Sequence, residues 1–119
     1  MTTQTLPGQL GATVPALAAG ATATSDDYVP RAGTKEITGW VVCDREHERS
    51  AFWVDGAGDT HALFDSTTQP VVVAASNASP AYAEPFRIQH HVPVIRFTCK
   101  NTHASATASV KFFVQDDGV

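Results

Sequence analysis

Charge is scarce in this chain. Of its 119 residues, 17% are Asp, Glu, Lys or Arg, and the net charge near neutral pH is −4. A nucleic-acid groove or an anionic-membrane face needs clustered Lys and Arg, so neither partner is expected. The acidity is also too slight for an acidic interaction tail. Long apolar runs are missing as well, since none approaches the roughly 20 residues of a spanning helix. Leu10 to Ala23 is Ala-rich, but Pro15 and interspersed glycines break it, and the first basic residue is Arg31. A secretory leader is therefore not expected. Cysteine is reduced to Cys43 and Cys99. They suit either an inter-sheet disulfide or two small buried apolar positions, and without an export signal free thiols are expected. Asn77-Ala78-Ser79 has the form of a glycosylation sequon, which in a chain that is not exported is only a loop. No helical period competes anywhere, and no internal repeat is visible.

What is present is period-two alternation. Val94, Arg96, Thr98 and Lys100 alternate with Ile95, Phe97 and Cys99, as in a strand with one buried and one wet face. Asn101-Thr102-His103-Ala104-Ser105 supplies turn-forming side chains, and Ala106–Gln115 begins a second strand. Upstream, Glu36–Cys43 is rich in β-branched and aromatic residues. Asp44–Arg49 reads as a charged turn, Ser50–Val54 as a strand, Asp55-Gly56-Ala57-Gly58-Asp59 as a hairpin turn, and Thr60–Phe64 as a strand. Val71–Ala75 is a short apolar strand, and Phe86–Gln89 is another, cut off by Pro93. Seven or eight short strands with turns every eight to twelve residues imply one all-β domain, an antiparallel β-sandwich or jelly roll.

Residues 1–33 differ, being dominated by Thr, Ala, Gly and Pro. They read as an extended N-terminal arm that adds one strand around Ala21–Ser25, with the sandwich over 34–119. Leu6, Leu10, Val14, Leu17 and Tyr28 are the side chains able to anchor it.

Catalytic and metal chemistry find little support. His47, His61, His90, His91 and His103 lack the paired spacing of a zinc site. His90 and His91 would point to opposite sides of an extended segment, and His47 and His103 fall in expected turns. Asp55 and Asp59 lack the further acid of a complete calcium loop. No Gly-x-Ser-x-Gly elbow occurs, and both cysteines have apolar neighbours, where a thiolate is disfavoured. No enzyme, metal or cofactor is expected. Trp40 shares its strand face with Thr38 and Val42, opposite Ile37, Val41 and Cys43. Trp53 lies between Phe52 and Val54, so one large apolar group must point away from the core. Both tryptophans suit core or subunit contacts, or alternatively a sugar platform.

The order of these features resembles the small β-sandwich structural proteins of tailed bacteriophages. It rests on an Ala/Thr/Gly-rich arm, the strand Thr34–Cys43, a charged turn leading to Ser50-Ala51-Phe52-Trp53-Val54-Asp55-Gly56, and the closing pair Val94–Thr102 and Ala106–Val114. The closing turn, Asn-Thr-His-Ala-Ser, departs from the glycine-rich form, as do the two cysteines. The resemblance implies a virion component, a capsid decoration or cementing protein that binds the head shell, or a neck or tail accessory. It further implies the major capsid protein or other virion subunits as partners, and a homo-oligomer, with a trimer favoured. No catalytic residues come with it. Under this reading the arm anchors and Trp40 and Trp53 make the contacts, and deleting residues 1–20 leaves the domain folded but unable to bind particles. The alternative from another class is a small carbohydrate-binding sandwich using Trp53 or Trp40. A hydrolase would need converged carboxylates that the sequence does not display.

Overall fold

The computed structural model describes residues 7–64, 85–89 and 92–118. Every regular element among them is a strand: β1 (Gly8–Gln9), β2 (Val14–Leu17), β3 (Thr22–Thr24), β4 (Ile37–Cys43), β5 (His47–Val54), β6 (Thr60–Phe64), β7 (Pro85–Ile88), β8 (Ile95–Asn101) and β9 (Ala108–Asp116). They form two antiparallel sheets. In the first, β9 pairs with β4 on one edge and β4 with β7 beyond it, while β1 and β2 lie in succession along the other edge of β9. The second runs β3-β8-β5-β6. The chain is an all-β sandwich. Val71–Ala75, Asn77–Ser79, Tyr82, His90 and His91 lie outside the described residues.

Alternation sets the inner faces. Ile37, Gly39, Val41 and Cys43 of β4 are buried while Thr38, Trp40 and Val42 between them are half-exposed. On β8, Ile95, Phe97, Cys99 and Asn101 point inward, and Arg96, Thr98 and Lys100 outward. Phe112 from the first sheet and Phe97 from the second are among the largest fully buried side chains. Each such ring contributes roughly 1.5–3 kcal/mol by leaving water.

The described part of the segment expected as an extended arm is instead stitched into its own domain. Gly8 and Gln9 pair with Val114 and Phe113, Val14 with Val110, and Leu17 with Ala108. The strand expected around Ala21–Ser25 is β3, whose Thr22, Ala23 and Thr24 pair with Lys100, Cys99 and Thr98. Strands from both sides of position 33 thus share both sheets. One further boundary moves: His47, Glu48 and Arg49 belong to β5 and not to a charged turn. His47 and Arg49 are buried there.

Candidate functional site

Three groupings of side chains stand out, and the first lies on the outer face of the first sheet. Antiparallel register places Pro85 of β7, Trp40 of β4 and Phe113 of β9 in one row, with Gln9 of β1 continuing it. Val42 and Lys111 form the next row, and Arg87, Thr38 and Gln115 the row on the other side. Trp40, Val42, Phe113 and Pro7 line a shallow groove of about 410 Å³. The only polar atom on those four side chains is the Trp40 indole N–H. An aromatic centre with a polar margin is the anatomy of a protein contact surface.

The second grouping sits at the rim of the second sheet. Trp53 pairs with His61 across β5 and β6, and the rings stack at a centroid separation of 4.2 Å and 21° between planes. Asp55 Oδ2 meets His61 Nε2 at 2.9 Å, while its Oδ1 accepts from the Ala57 and Asp59 amides at 2.8 and 3.0 Å. The bond to His61, followed by these amides, holds the Asp55 carboxyl below its ordinary pKa. Asp55 is therefore a turn-building residue, and Gly58 supplies the left-handed φ of 90° that the hairpin requires.

The third grouping is a buckle between the C-terminus and residues 28–36. The buried Asp116 carboxylate accepts from Tyr28 Oη, from the Arg31 amide at 3.1 Å and from Arg31 Nε at 2.7 Å. Gly118 N donates to it as well, at 3.0 Å. Burial pushes the Asp116 pKa up, but these donors outweigh it and bring the group down to about 2. Burial and the adjacent carboxylate push the Tyr28 hydroxyl the other way, above its ordinary value. Asp117 caps the Lys35 and Glu36 amides at 2.8 and 3.1 Å. Glycine is required at 118 because a Cβ there would lie 2.4 Å from Thr34 Oγ1 and 2.9 Å from the Ala32 carbonyl oxygen.

The anchors expected from sequence are thereby placed. Leu17 is buried, and Leu10, Val14, Tyr28 and Trp53 are partly buried against the same core. The Leu10 amide donates to the Phe112 carbonyl at 2.7 Å, and Tyr28 exchanges backbone bonds with Ile95 at 2.8 Å. Leu6 lies outside the described residues. Of the expected contact residues that are described, Trp40 lines the groove on the outer face. The groove's other wall, Phe113, and the Asp116 buckle were missed from sequence. Strand register decides both, and register is not written in composition.

No family model matches this chain, and no curated protein matches it. Among solved structures, the chain is similar to the CBM22-1 xylan-binding domain from Paenibacillus barcinonensis Xyn10C. The TM-score is 0.45 at 14% identity, over 99% of this chain and 97% of that one. A likeness at that level carries no argument about the ligand.

Among the described residues, no set of three His, Cys, Asp or Glu side chains is placed to hold a metal ion. His47, read from sequence as a turn histidine, is instead a core residue whose Nδ1 lies 2.8 Å from the Arg45 carbonyl oxygen.

Proposed function

We propose that this protein is a non-catalytic structural module that associates with other protein subunits through the outer face of its first sheet. The observation that supports this is the Trp40–Phe113 groove. An aromatic row half open to water on the outer sheet face offers the desolvated centre that interface energetics favour. Among the described residues, the four that line the groove offer a hydroxylated ligand a single donor, the Trp40 indole N–H, and the low net charge disfavours nucleic acid. The occupant that fits is an apolar protein surface, first of all a second copy of this chain. A virion partner, such as a capsid shell subunit, is supported by the sequence resemblance. The arm does not add to it, because residues 8–24 pair within their own chain.

Sedimentation velocity over roughly 1–100 μM tests the contact, that range bracketing micromolar association. The wild type is expected to associate with rising concentration, and Trp40→Thr to remain a monomer of unchanged circular dichroism. A wild type that stays monomeric throughout would remove the subunit contact. Counting copies in purified virus particles by quantitative mass spectrometry tests the virion partner, and absence from the particles overturns it.

A second reading, a carbohydrate-binding module, draws on the Trp53–His61–Asp55 cluster, where an aromatic face and polar groups adjoin. It predicts a monomer whose tryptophan emission shifts with oligosaccharides and no longer does so in Trp53→Phe.

A further inference from the structure

The two cysteines, far apart in sequence, share one part of the core. Cys43 closes β4 on the inner face of the first sheet, and Cys99 lies on the inner face of β8 in the second. Both are fully buried, at 0% exposure. Their thiols are free, and the strand pairing brings them into the same part of the core: Cys43 pairs with Val110 on β9, while Asn101, the next inward residue after Cys99 on β8, bonds the carbonyl of Leu17, which pairs with Ala108 beside Val110. His47, buried on β5, favours the Cys43 thiolate. Arg49, two residues on and also buried, stands opposite Cys99 in the β5–β8 register. Many inward positions are available to a small apolar side chain, so two unrelated cysteines would seldom face the same part of the core from opposite sheets.

We propose that Cys43 and Cys99 are a latent inter-sheet disulfide, closed by exchange with a low-molecular-weight disulfide such as oxidised glutathione. The Cys43 thiolate attacks one glutathione sulfur, the glutathione S–S bond breaks, and one glutathione leaves as its thiolate and takes a proton. Cys99 then gives up its proton and attacks Cys43 Sγ. The mixed disulfide breaks and releases the second glutathione. Two protein thiols are oxidised to one cystine, and one glutathione disulfide is reduced to two thiols. The order follows from the surroundings: the neighbouring Cys99 and then His47 favour the Cys43 thiolate against its burial, whereas Cys43 and burial push the Cys99 thiol up. Because both sulfurs are buried, exchange is slow on the folded protein and fast while the sheets are still assembling. Once closed, the bond ties the two sheets and spans most of the central part of the chain.

The test uses the wild-type chain. It is unfolded in denaturant, refolded in mixtures of reduced and oxidised glutathione, quenched by alkylation and weighed intact. The expected product in oxidising mixtures is a monomer lighter by two hydrogens, without alkyl groups, in which proteolysis yields one peptide pair joining Cys43 to Cys99. Its thermal midpoint is expected to exceed that of the reduced protein by roughly 10 °C, as for closure of a loop of this size. Cys99→Ala, treated alike, is expected to carry one glutathione on Cys43. Two alkylatable thiols persisting at every glutathione ratio, or cysteines joined only between chains, would overturn the proposal.

Discussion

At the scale of single residues, Asp116 carries the most testable charge. Its folded pKa is about 2 against an ordinary 3.8, so between those pH values the unfolded chain holds the proton and the folded chain does not. Stability is therefore fully present above the unfolded value and falls as pH drops through the folded one. The shift corresponds to about 2 kcal/mol, little screened by solvent because the carboxylate has no exposed surface. Asp116→Asn is expected to cost roughly 2–3 kcal/mol at neutral pH by removing bonds to a charged acceptor. It should also flatten the loss of stability between pH 5 and 2. Urea midpoints at the two ends of that range check both, and identical acid losses in the two proteins would show that Asp116 is not the titrating group. In the sequence, Asp116-Asp117 is a pair of loose carboxylates near the end of the chain. The partners of Asp116, Tyr28 and Arg31, and those of Asp117, the Lys35 and Glu36 amides, all stand far upstream, with Tyr28 and Asp116 separated by 88 positions. Tyr28 stood out in the sequence as an aromatic side chain in an Ala/Thr/Gly segment and was read as an anchor toward other subunits, whereas here it bonds Asp116 and Ile95 of its own chain. What it anchors to was not legible.

At the scale of elements, alternation did most of the work. β4, β6, β8 and β9 lie within two residues of where period two and β-branched composition place them. β5 starts three residues earlier than expected, because His47 and Arg49 are polar side chains turned inward, which a hydropathy pattern reads as a turn. β1 and β2 went unseen. They are edge strands of two and four residues containing glycine or proline, and only pairing to β9 gives them regular structure. That pairing reverses the expected outcome of deleting residues 1–20. The truncation removes buried Leu17 and strips one edge of β9. It also leaves Asn101 Nδ2, fully buried, without the Leu17 carbonyl it bonds at 3.0 Å. Losing one buried leucine and one buried hydrogen bond amounts to roughly 3–5 kcal/mol. The bare edge invites edge-to-edge aggregation as well. Thermal unfolding of the truncated chain checks this, and an unchanged midpoint would mean that β1 and β2 contribute nothing to the sandwich.

At the scale of the whole molecule, the question is whether the two sheets form one cooperative unit. Inner faces from both contribute to a single core, with Phe112 and Phe97 on opposite sides of it. The N-terminal strands divide themselves between the sheets, β1 and β2 on β9 and β3 on β8. Neither sheet can therefore be completed without ordering the chain that crosses to the other. Such pairing between distant parts of the chain places folding on the millisecond-to-second scale of non-local β proteins. Nature has supplied one reporter per sheet, Trp40 on β4 and Trp53 on β5. Trp53→Phe leaves only the first-sheet reporter, and Trp40→Phe only the second. Each variant's urea transition, followed by tryptophan emission, is expected to coincide with its own transition by circular dichroism, as two-state unfolding requires. If the emission of either reporter changed well before the circular dichroism, its sheet would be opening on its own. The disulfide proposed between Cys43 and Cys99 would then join two separable layers, and its effect on stability would exceed the roughly 10 °C expected for a single cooperative core.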